Sequence, residues 1–279
     1  MLDDNDGGSR SGCLRLSLMA ATLGALACGG GGGGGPAPVD PEQQPTAPAP
    51  ADADISLLMM GNSHTSLNAL PRQLEALLRA GLPGKSVAAT EAPGWMFLDE
   101  RLADAGSIAL LRGRRWTVLV LQAQKYSTTG QNSYSTSEAQ SLIRVARELG
   151  AMPVMFPEWP RLGVAETERI YALHAGIARQ QPACVAPIGQ AWELALQRHP
   201  ALVLHAGDGN HAAPAGAYLT ALMLYTTLTG ASPLALPTLA NNGVPAEQQA
   251  LLRQVAADAA AATAPRQHCP GDAPLGQRP

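Results

Sequence analysis

Trp116-Thr117-Val118-Leu119-Val120-Leu121 runs almost without a break through β-branched and aliphatic side chains. A half-exposed strand alternates apolar and polar positions, so an unbroken run predicts a strand covered on both faces, as in a parallel sheet packed between helices. Toward the N-terminus, Ile55-Ser56-Leu57-Leu58-Met59-Met60 has the same character and stops at Gly61. Beyond it Leu67, Leu70, Leu74, Leu77 and Leu78 recur at helical spacing up to Gly81. Residues 85–90 predict a second strand and 97–111 a second helix, with Leu98, Leu102, Ile108 and Leu111 on its apolar side and the loop Ala92-Pro93-Gly94-Trp95 before it. Toward the C-terminus the pattern predicts a helix over 137–149, a strand over 152–156, a helix over 167–179 and a short strand over 184–186. Strands alternating with helices imply right-handed crossovers, hence an α/β fold: a three-layer α/β/α sandwich with a central parallel sheet. Residues 218–228 are apolar on most sides and too short to span a bilayer, which predicts a buried helix; a last helix is expected over 246–260.

The ends of the chain read differently. Arg10 and Arg15 flank or open an apolar stretch over 14–27 that closes on small residues before Cys28, the pattern of a bacterial export leader. Ala25-Leu26-Ala27-Cys28 resembles a lipoprotein signal, with the leucine one position later than that signal prefers. Residues 1–28 are therefore expected to be a signal peptide ending in a lipid-bearing Cys28; an ordinary cysteine behind a leader is the alternative. Seven glycines, Gly29 to Gly35, and a Pro/Ala/acid stretch follow. Such a segment cannot bury enough apolar surface to offset its chain entropy, so 29–53 is expected to be a disordered tether. Residues 54–262 then form one catalytic domain and 263–279 a flexible tail. This places the protein in a bacterial cell envelope, on the periplasmic or cell-surface face, held to a membrane through the lipid alone and otherwise monomeric. With a net charge of −3 and only two lysines among its 19 cationic residues, the chain has no broad cationic field, so nucleic acid is not an expected partner. Cys184 and Cys269 can pair in an oxidising compartment, or stand as two free thiols.

Ligands of parallel α/β sheets bind at the carboxyl ends of strands, where Gly61-Asn62-Ser63, Gly94 and Gln122-Ala123-Gln124 all fall. A serine on a strand-to-helix turn can expose its hydroxyl while its N–H, at the helix start, faces a developing oxyanion. Ser63 alone would more simply be a helix N-cap. Asp208-Gly209-Asn210-His211 changes the balance, because serine needs a base and imidazole needs a carboxylate to fix its tautomer. Spacing of three residues lets Asp208 reach the ring nitrogen of His211 that faces away from Ser63. In the simpler reading Asp208 caps the helix near Pro214 and His211 is a surface residue.

Gly61-Asn62-Ser63, Gly94, Gln124 and Asp208-x-x-His211, in this order over residues 55–230, resemble the SGNH (GDSL-like) hydrolase superfamily, and most of all bacterial members with a Gly-Asn-Ser first motif. The stretch Ala186-Pro187-Ile188-Gly189-Gln190-Ala191-Trp192 is also similar to those members. The resemblance implies a flavodoxin-like sandwich and a serine esterase with Ser63 as nucleophile, His211 as base then acid, and Asp208 as its partner. It implies an oxyanion hole built from the N–H groups of Ser63 and Gly94 and the side-chain amide of Gln124. Gln124 stands where many members have Asn, and Lys125 where an acid is common. No cofactor is implied; the substrate would be a small-molecule or glycan ester, with a short acyl group such as acetyl.

His64, Trp95, Tyr126 and Trp159 are candidate substrate contacts, the aromatics by stacking on a sugar face, with core packing or loop anchoring as the alternative. Glu158 could meet a substrate hydroxyl or be a solvated loop acid. Two further functions compete: a metal-dependent hydrolase on His205, Asp208 and His211, and a tethered carbohydrate-binding protein that kept the fold without the chemistry.

Overall fold

The computed structural model describes residues 53–277. The expected leader, Cys28 and all but the last residue of the expected tether lie outside the described residues. Five strands, β1 (Ile55–Met60), β2 (Val87–Glu91), β3 (Val118–Leu121), β4 (Met152–Met155) and β5 (Cys184–Val185), form one sheet in the order β2-β1-β3-β4-β5. Every neighbouring pair is parallel. All six residues of β1 and all four of β3 are buried, because helices cover both faces. Alternation along β1 divides the core in two: Leu57 and Met59 face one apolar cluster with Leu74, Trp192 and Leu222, while Leu58 and Met60 face another with Leu98, Leu142 and Ile143. Each fully buried aliphatic side chain contributes roughly 1.5–3 kcal/mol, which is why the sheet interior is the apolar part of the sequence.

The helices are α1 (Ser63–Ser66), α2 (Leu70–Gly81), α3 (Leu98–Ala103), α4 (Ala105–Arg112), α5 (Ser137–Glu148), α6 (Thr167–Gln180), α7 (Ile188–Arg198), α8 (Pro214–Thr229) and α9 (Ala246–Ala262). Three differences from the sequence pattern matter. The single helix over 97–111 is broken at Asp104, whose extended backbone ends α3 and whose carboxylate caps α4 by accepting from the N–H of Ser107. The helix after β1 is interrupted between α1 and α2, where Asn68 and Ala69 both take left-handed backbone angles. Helix α7, absent from the predicted elements, buries Ile188, Ala191, Trp192 and Ala195 on one stripe. Helix α8 is buried on nearly every side, as its composition predicts. Among the described residues no helix is long and apolar enough to cross a membrane.

Residues 263–277, expected as a loose tail, pack against the body instead. Cys269 is buried and forms a disulfide with Cys184 on β5, Leu275 is buried, and Arg266 donates to the carbonyl of Thr227.

Candidate active site

In a sheet of order 2-1-3-4-5 the chain leaves β1 toward one edge and returns through β3 toward the other, which opens a crevice above the carboxyl ends of these two strands. The segments after β1 and β3 border it. Gly61 makes the first turn feasible: a Cβ there would lie 2.2 Å from Thr65 Oγ1 and 2.3 Å from Gln122 Oε1, so no other residue fits without displacement. Asn62 caps α1, its Oδ1 accepting from the N–H of His64, and Ser63 opens the helix. The N–H of Ser63 therefore has no intrahelical partner.

His211 meets Ser63 from the far side of the crevice. Ser63 Oγ and His211 Nε2 are 2.8 Å apart, and Asp208 Oδ2 lies 2.5 Å from His211 Nδ1. Since an ionised carboxylate only accepts, Nδ1 carries the proton and Nε2 accepts from the serine. Asp208 Oδ1 also accepts from the N–H groups of Asn210 and His211, each at 2.9 Å. These bonds, led by that from Asn210, hold the Asp208 carboxyl well below the usual carboxylate range although its side chain is 48% exposed. The loop is closed on itself by Ala206 donating to His211 O and is pinned by Asn68 Nδ2 donating to Ala212 O at 2.7 Å.

The two glutamines after β3 divide the work in an unexpected way. Gln124 spends its side-chain N–H groups on the carbonyls of Lys125 and Ser135, so its amide has no donor left for an oxyanion, contrary to the role the resemblance implies. Gln122 instead organises the turn that carries Ser63. Its Oε1 accepts from Asn62 N at 2.8 Å and Thr65 Oγ1 at 3.0 Å, while its Nε2 donates to Glu158 Oε1 at 2.9 Å. Lys125 pairs with Asp99 at 2.7 Å and ties this loop to the start of α3.

Glu158 is nearly enclosed, and burial pushes its carboxyl from an ordinary 4.5 to about 7. His64, buried beside it, is lowered to about 4 by burial and by the nearby His211. The 3.9 Å approach of His64 Nε2 to Glu158 Oε2 is thus a contact with a neutral imidazole at neutral pH rather than an ion pair. Trp159 is also buried: it stacks on Trp192 with centroids 4.5 Å apart and donates to Asn210 O at 2.9 Å, anchoring the Asp208–His211 loop from below. Tyr126 is half-buried, with its phenol pushed up by burial and by Glu158 and Glu166. Trp95, in contrast, is 55% exposed, and its indole N–H is fixed to Ser66 Oγ at 2.9 Å.

The alternative metal set does not converge. His205 stacks edge-on against Trp192 and directs Nε2 to Pro160 O at 2.8 Å. Among the described residues the cluster with metal-ligating spacing is Cys184, Cys269 and Asp272, and its two cysteines are bonded to each other.

No family model and no curated protein matches this chain. Solved structures do. A DUF4886 family protein from Bacteroides uniformis is 15% identical and matches over 75% of this chain and 95% of its own, with a TM-score of 0.58. A candidate SGNH hydrolase from Slackia heliotrinireducens is 26% identical over 61% of this chain and 96% of its own, with a TM-score of 0.49. At these levels the first likeness shows a shared α/β fold, and the chemistry has to be argued from the residues of the crevice.

Proposed function

We propose that this chain is a serine ester hydrolase of the SGNH (GDSL-like) type. The observation that carries the reading is the continuous line from Ser63 Oγ through the His211 ring to Asp208. As Oγ attacks an ester carbonyl, Nε2 takes its proton, and Asp208, ionised at neutral pH, stabilises the imidazolium. The N–H groups of Ser63 and Gly94 receive the oxyanion. His211 then returns the proton to the departing alcohol, and a water activated by the same imidazole releases the acid from Ser63. The residues of the chain and one water supply every proton and donor that these steps use.

The substrate class we propose is a short acyl ester, such as acetyl, on a carbohydrate or small envelope molecule. Trp95 supports it: an exposed indole, three residues before α3 and tethered through its N–H to the last residue of α1, offers an apolar surface of the kind that stacks on a sugar ring. An envelope location through lipid on Cys28 belongs to the same proposal and rests on the sequence of residues 1–53.

Wild-type protein is expected to hydrolyse p-nitrophenyl acetate and to be labelled at Ser63 by a fluorophosphonate, and Ser63→Ala to lose both while keeping its circular dichroism. Unchanged turnover in Ser63→Ala would sink the assignment. Glycan binding by a wild-type protein that neither turns over ester nor labels would favour the non-catalytic reading. A panel of acetylated sugars against longer-chain esters, with Trp95→Ala expected to raise KM for the sugar esters, tests the substrate class.

A further inference from the structure

Arg101 lies on α3, outside every motif of the sequence, and is fully buried. A buried guanidinium is ordinarily paired with a carboxylate. Among the described residues no acid lies within ion-pair distance of it, and Asp104, Glu91 and Glu100 act on its charge only from farther off. Its Nε has no hydrogen-bond partner, while its two Nη atoms reach backbone oxygens on two different loops. Nη1 donates to Pro93 O at 2.7 Å and to Ser107 Oγ at 3.2 Å. Nη2 donates to Gly61 O at 2.8 Å, to Ala92 O at 3.3 Å and to Gly94 O. One cation thus gathers the carbonyls of the β2–α3 loop and of the residue that precedes the nucleophile turn.

The consequence follows from peptide geometry. In a trans peptide the C=O and the next N–H point in opposite directions, and the described residues contain no cis bond. With Gly61 O turned to Arg101, the Asn62 N–H must face away, and it does: it donates to Gln122 Oε1. With Pro93 O turned to Arg101, the Gly94 N–H must likewise face away from the buried guanidinium, on the exposed side of the loop. Gly94 holds φ at +77°, which a side chain would resist, so this peptide orientation depends on glycine and on the clamp together. Two more bonds, Met96 N to Gly61 O at 3.3 Å and Leu98 N to Ala123 O at 3.1 Å, tie the same loop to the segments after β1 and β3.

We infer that Arg101 is the positioning residue of the oxyanion hole, its guanidinium holding the Gly61, Pro93 and Gly94 carbonyls inward so that the Gly94 N–H is presented in fixed register with Ser63. The inference rests on the ester-hydrolase reading above. It explains why a cation occupies the position: a single guanidinium orients four peptide carbonyls at once, their N–H ends directed outward, where a neutral amide such as that of Gln124 reaches two.

The test uses Arg101→Met and Arg101→Lys in the full chain, with p-nitrophenyl acetate kinetics, circular dichroism and fluorophosphonate titration of the fraction of Ser63 that reacts. Arg101→Met is expected to lower kcat about 100-fold, the cost of a misplaced oxyanion donor, with KM within about twofold of wild type and full titration of Ser63. Arg101→Lys keeps the charge but reaches fewer carbonyls, so it is expected to recover part of the loss. A folded Arg101→Met variant with kcat within about threefold of wild type overturns the inference. So does a fall in kcat matched by a fall in the titrated fraction, or the failure of both variants to fold, because Arg101 is then structural only. If wild type itself neither turns over ester nor labels at Ser63, the ester-hydrolase reading falls first and takes the inference with it, an outcome visible without any Arg101 variant.

Discussion

At the scale of single residues the nucleophile turn has no slack. A methyl group on Gly61 would sit inside contact distance of both Thr65 Oγ1 and Gln122 Oε1, the bonds that hold the turn against β3. Gly61→Ala is expected to cost about 1–3 kcal/mol of stability and to lower kcat at least about tenfold, read by urea unfolding and ester turnover; a variant matching wild type in both would show that the turn relaxes freely. That Ser63, Asp208 and His211 meet was legible because a serine on a strand-to-helix turn and an Asp-x-x-His pair are the parts that one chemistry combines. The glutamines were not: Gln122 and Gln124 are set apart by their distant partners, Glu158 for the first and Ser135 O for the second, which the local pattern does not contain. Glu158 brings its own pH signature. Its carboxyl is raised from 4.5 to about 7, so between these values the folded state keeps a proton that the unfolded chain releases. Stability from this group is complete below about pH 4.5 and is lost as pH rises toward 7, by at most about 3 kcal/mol. Glu158→Gln keeps an acceptor for Gln122 and carries no charge to bury. It is therefore expected to be more stable than wild type at pH 8 and close to it at pH 5 in denaturant unfolding; an equal difference at both pH values would remove burial of Glu158 as the cause.

At the scale of elements, strands and long helices followed from periodicity, and what escaped were the breaks. Asp104 ends α3 through its backbone while capping α4, and an aspartate inside an otherwise helical pattern signals either a solvent-facing position or a cap. Asn68 and Ala69 break the helix after β1 because Asn68 is drawn to Ala212 O, a partner 144 residues away that joins the nucleophile side to the base loop. Helix α7 had the required i, i+3, i+4, i+7 apolar spacing at Ile188, Ala191, Trp192 and Ala195, and its Trp192 carries Trp159, which in turn holds Asn210. The tail shows the same dependence on distant partners. Its composition reads as loose, yet the Cys184–Cys269 bridge closes a separation of 85 residues and fixes it beside β5. Cross-linking a chain over that length is worth typically about 2–4 kcal/mol. Cys269→Ser, and dithiothreitol added to wild type, are expected to lower the unfolding midpoint by similar amounts while leaving KM near its native value, because the bridge ends on β5 and not on the loops of the crevice. A midpoint insensitive to reductant would mean that the thiols do not pair in solution.

For the whole molecule, the order 2-1-3-4-5 is what turns residues 148 positions apart, Ser63 and His211, into neighbours: the first lies at the switch between β1 and β3, and the second enters on the loop before α8. Strand and helix patterns alone predicted the layers, while strand order came from tertiary pairing that no window of sequence contains. The proposed membrane attachment belongs to this scale too, since it would act on the catalytic domain only through the 25 residues from 29 to 53. A glycine-rich chain of that length would have a root-mean-square reach of about 25–30 Å, and the prolines after Gly35 would extend it further, enough to hold the domain near a membrane without pressing the crevice against it. In a bacterial host, Cys28→Ser is therefore expected to abolish fatty-acid incorporation and to move the protein from the detergent-rich to the aqueous phase. The kcat and KM for a soluble ester should stay the same, and turnover of an ester confined to the envelope surface should fall, because only the latter depends on where the tether places Ser63. Fatty-acid labelling that persists in Cys28→Ser would exclude Cys28 as the attachment point, and loss of soluble-ester activity in that variant would show that the first 53 residues contribute to the domain in a way a passive tether does not.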